Sequence, residues 1–91
     1  MAFVVVTLRI MPESVDTDLK VLEEKASDLI KKFGGDPGKT AITPIAFGLK
    51  SLDIFFVMQE SVGSTEELEK QIAALDGVNS AEAIDVRRAI G

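Results

Sequence analysis

The sequence predicts an α+β fold, a four-stranded antiparallel sheet with two helices on one of its faces. Three observations predict it. Apolar residues alternate with a period of two in four segments and recur at helical spacing in two others, in the order β-α-β-β-α-β. The middle two strands meet at a tight turn, which makes them antiparallel neighbours. Each βαβ half must also cross over right-handedly, and the compact solution is the split βαβ, or ferredoxin-like, arrangement. The first and third strands are then central and the second and fourth lie at the edges. The whole chain, 1–91, is read as a single domain.

The first strand places Val4, Val6, Leu8 and Ile10 on one face and Phe3, Val5, Thr7, Arg9 and Met11 on the other. Pro12 cannot donate to a sheet ladder and is expected to end it. Glu13 to Asp18 is an acidic loop holding three candidate N-caps, Ser14, Asp16 and Thr17. From Asp18 to Phe33 the residues Leu19, Leu22, Ala26, Leu29, Ile30 and Phe33 form one helical stripe. Lys31 and Lys32 suit the negative end of that helix, and Gly34-Gly35 with Pro37-Gly38 are expected to stop it.

Lys39–Phe47 and Leu49–Glu60 read as a hairpin turning at Phe47-Gly48. Pro44 consigns the first of the two to an edge. In the second, Leu52, Ile54, Phe56 and Met58 share a face, with Phe55 and Val57 opposite. Ser64-Thr65-Glu66-Glu67 has the form of a capping box opening a helix with the stripe Leu68, Ile72 and Leu75, which Gly77 ends. A last strand runs from Val78 to Arg88, with Ile84 and Val86 on one face.

Composition narrows the function. The chain is 46% hydrophobic and 27% charged, with a net charge of −5, no cysteine and no histidine. Imidazole bases, thiolate nucleophiles and Cys/His metal clusters are therefore excluded. An acidic domain is poorly suited to nucleic-acid phosphates. No apolar run approaches the roughly 18–20 residues that cross a bilayer, so no membrane role is expected. The opening residues lack a basic n-region and a cleavage site, and read as a strand rather than a signal peptide. The absence of cysteine fits a cytoplasmic setting. Gly38-Lys39-Thr40 imitates the end of a phosphate loop without its spacing or its preceding strand. The carboxylates Glu13, Asp16, Asp18, Glu66, Glu67 and Glu69 sit where helix N-termini and solvated faces place them. No catalytic residue, cofactor or metal site is expected.

Two kinds of contact feature remain. Phe3, Val5, Phe55 and Val57 fall on the sheet face away from the helices, an apolar patch of the sort that marks association. Asp53 shares that face and is placed to pair with Arg9 across the central strands. Phe47 stands at a tight turn before glycine, flanked by Pro44, Ile45 and Ala46. It is either folded back under the hairpin or exposed as an anchor for a partner's pocket. Asp85-Val86-Arg87-Arg88, followed by Ala89-Ile90-Gly91, brings paired arginines to the end of an acidic chain.

Three stretches carry a resemblance: Ile10-Met11-Pro12-Glu13-Ser14 leading through Asp16 and Asp18-Leu19, Pro44-Ile45-Ala46-Phe47-Gly48-Leu49-Lys50-Ser51-Leu52, and Asp85-Val86-Arg87-Arg88. On these the chain resembles archaeal translation elongation factor 1-beta and the C-terminal exchange domain of its eukaryotic counterpart. The resemblance implies a guanine-nucleotide exchange factor, not an enzyme of bond chemistry, whose partner is the GTP-binding elongation factor 1-alpha. It implies partner contacts at Pro44, Phe47, Gly48, Asp85, Arg87 and Arg88. It also implies that the C-terminal tail disturbs the partner's Mg²⁺ site. The eukaryotic domains end in a lysine that enters that site; the corresponding position here is about Gly91, and no lysine follows Lys70. Arg87 and Arg88 carry the nearest positive charge, in a planar rather than point-like form.

The alternative reading is a ferredoxin-like regulatory or ligand-binding module, a homo-oligomer joined through the sheet-face patch. Small enzymes of this fold fit less well. A nucleoside diphosphate kinase needs a histidine, and an acylphosphatase an arginine–asparagine pair near the first loop, whereas the one asparagine is Asn79.

Overall fold

Alternation of apolar residues sets the first element, and the rest of the sheet assembles around it. The computed structural model describes residues 2–89. It contains β1 (Phe3–Pro12), α1 (Leu19–Phe33), β2 (Asp36–Ala46), β3 (Leu49–Gln59), a short 3₁₀ turn (Glu60–Val62), α2 (Glu66–Ala73) and β4 (Val78–Ala89). The sheet order is β2-β3-β1-β4 with every neighbour antiparallel. This is the expected ferredoxin-like α+β architecture, with β1 and β3 central and Pro44 on an edge.

The core lies between sheet and helices. Val6, Leu8 and Ile10 of β1 and Leu52, Ile54 and Phe56 of β3 are almost wholly removed from water, against Leu22, Ala26 and Ile30 of α1 and Leu68 and Ile72 of α2. Asp18 caps α1 by accepting hydrogen bonds from the Lys20 and Val21 amides. Gly34 ends that helix in the left-handed conformation, at φ 110°, where a side chain is disfavoured. Its neighbour Gly35 is required for space: a Cβ there would sit 2.8 Å from Ile30 Cγ2 and from Phe56 Cδ2.

Pro12 ends β1 as expected, standing as its last residue, and is buried. Other local expectations are corrected. Pro37 and Gly38 do not form a separate stop, because β2 already begins at Asp36 and carries them across a register shift between Pro37 and Thr40. Gly38-Lys39 therefore lies in an edge-strand bulge, which disposes of the phosphate-loop imitation. Bulges at both ends of β2, together with two prolines, blunt its outer edge against further pairing.

The capping box does not form as expected. Thr65, not Ser64, is the N-cap of α2 and makes no capping bond with its side chain. Ser64 Oγ instead accepts from the Glu66 amide, and Thr65 Oγ1 donates to Glu69 Oε1 at 2.9 Å. That carboxylate also accepts the Ala83 amide of β4. A tertiary demand on Glu69, placed at the β4 edge, displaces the local pattern. On β4 itself a register shift leaves Ile84 as the extra residue between Ala83, opposite Leu8, and Asp85, opposite Thr7. Ile84 and Val86 are both exposed. Among the described residues no helix is long and apolar enough to cross a membrane.

Candidate functional site

A two-residue hairpin turn of the I′ type requires positive φ at both central positions, which normally selects Asn-Gly or Gly-Gly. Here Ala46 pairs with Leu49, and the two residues between them are Phe47, at φ 52°, and Gly48, at φ 80°. Phe47 is the one non-glycine described residue with positive φ. Its side chain is 98% exposed, so the choice between a buried and an exposed Phe47 is decided for exposure. An aromatic in this conformation is disfavoured by about 1–2 kcal/mol, and no burial offsets it. The turn therefore holds an aromatic in a costly conformation without internal packing to offset it. Pro44, opposite Lys50, and Ile45, the extra residue of a second bulge, support the turn and are exposed.

The tip does not stand alone. The loop between β1 and α1 comes up beside it, and the two bound a cavity of about 210 Å³ lined by Pro12, Ser14, Val15, Thr17, Leu19, Gly48 and Lys50. Val15, 60% exposed, is the apolar residue of an otherwise polar loop. Sequence reasoning passed over it, although an isolated valine between capping residues was a visible signal.

Arg87 and Arg88 are at the other end of the molecule. They stand opposite Val5 and Val4, near the start of β1. The distance along β3 from Val57, opposite Val5, to the turn is roughly 30 Å at a strand rise of about 3.3 Å per residue. The structure therefore does not bring the hairpin aromatic and the arginines together; it separates them along a body 42 Å long. Both arginines are already paired. Arg87 Nε meets Asp85 Oδ2 at 2.9 Å, and Arg88 reaches Glu60 Oε2 at 2.7 Å from its terminal nitrogen. Gly91, to which the resemblance assigned the terminal-lysine position, lies outside the described residues.

The sheet face away from the helices is less open than its sequence suggests. Phe3 and Val57 are exposed at the β4 C-terminal end, with Val5 and Phe55 half-buried. Its centre is polar: Asp53 accepts from Arg9 Nε at 3.0 Å, from Arg9 Nη2 at 3.1 Å, and from the Thr43 and Ser51 hydroxyls. The expected Arg9–Asp53 pair is formed in register across the central strands. Burial pushes the Asp53 carboxyl up, but the bonds from Arg9, Thr43 and Ser51 outweigh it and leave the pKa below its ordinary value. The bonded and adjacent Asp53 carboxylate raises that of Arg9.

Residues 5–89 match the family described as EF-1 guanine nucleotide exchange domain. The chain is 39% identical to elongation factor 1-beta of Methanothermobacter thermautotrophicus over 97% of its length and 98% of the relative's. Identity to elongation factor 1-beta of Methanobrevibacter smithii is 41%, with the same coverage. Among solved structures, the de novo designed protein Foldit4 superposes with a TM-score of 0.62 at 17% identity, covering 98% of both chains. BlrP1 BLUF gives 0.58 at 15% identity, over the whole of this chain and 57% of that one. Such low identities bear on the fold alone, which serves many unrelated functions. The near-full-length sequence relatives are specific: the chain belongs to the EF-1 guanine nucleotide exchange domain family and acts as a guanine-nucleotide exchange factor in translation elongation.

Proposed function

We propose that the chain, as one exchange domain over residues 1–91, accelerates GDP release from the GTP-binding elongation factor 1-alpha so that GTP can replace it. Phe47 is the anchor, and Arg87 and Arg88 act near the partner's nucleotide or metal site. The observation that carries this reading is Phe47 itself, fully exposed and held in a left-handed turn that gives it no internal contact to offset the strain.

Exchange needs no bond chemistry from this chain. A ligand shifts a conformational equilibrium only by its differential affinity for the two states. The factor must therefore bind the nucleotide-free GTPase more tightly than the GDP·Mg²⁺ form. The separation of the two ends suits that task, since one end can hold the partner while the other acts at a distance on its nucleotide site. Pro44 and Gly48 keep the hairpin tip in shape. At the far end, the arginines are held by exposed pairs worth about 0–1 kcal/mol each. Phosphates or metal-ligating carboxylates of the partner can take over either guanidinium at little cost, Asp85 and Glu60 serving as resting partners.

The test is release of a fluorescent GDP analogue from elongation factor 1-alpha in excess GTP. The wild-type chain should accelerate it, and Arg87→Gln with Arg88→Gln should lower the maximal rate. No acceleration by the wild type sinks the reading. Acceleration unaffected by the arginine pair and by Phe47→Ala leaves the activity and removes the site assignment.

A further inference from the structure

The groove beside the hairpin is unaccounted for by the anchor alone. It is built from a segment whose sequence, Pro12-Glu13-Ser14 through Leu19, has no task in the reading above. That segment is tied down by hydrogen bonds. The Glu13 amide donates to the Gly77 carbonyl at 2.8 Å, and the Gly77 amide donates back to Glu13 Oε1 at 3.0 Å. Gly77 has φ 88°, and a Cβ there would lie 3.1 Å from Thr17 Cγ2, so the loop rests directly on the turn before β4. Within the loop, Thr17 Oγ1 accepts from the Ser14 amide and Ser14 Oγ from the Asp16 amide. A loop held at both ends and across its middle presents Val15 to solvent without the ordering cost that a mobile loop incurs on binding.

We propose that this groove is a second partner-contact subsite, taking an apolar side chain of elongation factor 1-alpha flanked by an acidic or carbonyl group. The inference rests on Phe47 being the anchor for that same partner. Continuity argues for the occupant: Gly48 lines the groove and follows Phe47 in the chain, so a surface that receives Phe47 must pass over the groove. Charge argues for its chemistry. Lys50 is the only ionisable side chain of the lining, an exposed cation on a chain of net charge −5. A Cβ at Gly48 would lie 3.4 Å from Val15 Cγ1, so Val15 supplies the apolar wall that closes the groove toward the tip. Glu13 is the positioning residue, acting through Gly77 rather than on the partner.

The experiment measures GDP-analogue release against factor concentration for wild type, Val15→Asp, Lys50→Glu, Glu13→Gln and Phe47→Ala, with thermal unfolding of each. Val15→Asp and Lys50→Glu, both at exposed positions, should raise the half-maximal concentration roughly fivefold or more while the melting temperature and maximal rate hold. Glu13→Gln should raise it too, with faster amide exchange across residues 13–17. If Phe47→Ala weakens binding while Val15→Asp and Lys50→Glu stay within twofold of wild type, the groove is not a contact and the inference is overturned. If instead those two weaken binding and Phe47→Ala does not, the groove stands and the anchor falls. Should none of the three change it, both fall.

Discussion

Replacing Phe47 by asparagine should stabilise the chain and impair it as an exchange factor. Asparagine tolerates positive φ far better than phenylalanine, and Asn-Gly is the preferred pair for a two-residue hairpin of this kind. Phe47 is 98% exposed, so its removal forfeits almost no burial, while the strain of about 1–2 kcal/mol is partly relieved. The expected gain is roughly 0.5–1 kcal/mol, or a rise in Tm of roughly 3–6 °C for a domain of this size. Loss of a buried aromatic anchor at an interface costs about 2 kcal/mol or more, which is roughly thirtyfold in affinity. Circular dichroism melting reads the first effect, and the concentration dependence of GDP-analogue release reads the second. The opposite signs are the informative part, because a merely damaged hairpin lowers both. A fall in Tm shows that Phe47 makes internal contacts, and an unchanged half-maximal concentration shows that the strain does not serve the partner. Either result refutes the reasoning.

Two further outcomes concern the fold. Asp53→Asn should weaken the polar centre of the sheet and flatten its acid response. The folded carboxyl has a pKa below its ordinary 3.8, so its contribution is complete above the unfolded value and is lost as pH falls through the folded one. Wild-type stability should therefore drop below about pH 4 more steeply than that of the variant, in urea titrations at stepped pH. Asp53→Ala strands the Thr43 and Ser51 hydroxyls and should cost roughly 1–3 kcal/mol. Gly35→Ala pushes a methyl within 2.8 Å of Ile30 and Phe56, and overpacking of that kind should cost about 1–3 kcal/mol by chemical denaturation. A variant as stable as wild type means that the α1–β2 corner relaxes freely.

Much of the fold was legible because each element announces itself locally. Alternation over Val4–Ile10 and Leu52–Met58 fixes which faces meet the helices, and a one-residue slip there would turn the whole stripe to water. The Arg9–Asp53 pair was legible for the same reason, since two facing stripes in register bring their opposite charges together. The errors fall where a distant group intervenes. Ser64 has the composition of an N-cap, yet Glu69 is drawn to Thr65 and to the Ala83 amide, an edge-strand donor that no local pattern reveals. Gly38 and Ile84 sit at bulges that let edge strands follow the sheet's twist, an adjustment set by neighbouring strands rather than by the bulged residues.

By itself the sequence determined the element order, the antiparallel pairing, the core face and the lack of histidine and cysteine chemistry, because periodicity and composition are properties of the chain alone. It marked Phe47 and the arginine pair as candidate contact residues without placing them. Only the tertiary structure decided that Phe47 projects outward in a strained turn, that Val15 and Lys50 border a groove beside it, and that Arg87 and Arg88 lie at the far end of the sheet. Exposure, proximity and separation depend on which strand neighbours which and in what register, and residues distant in sequence acquire those relations only when the sheet closes.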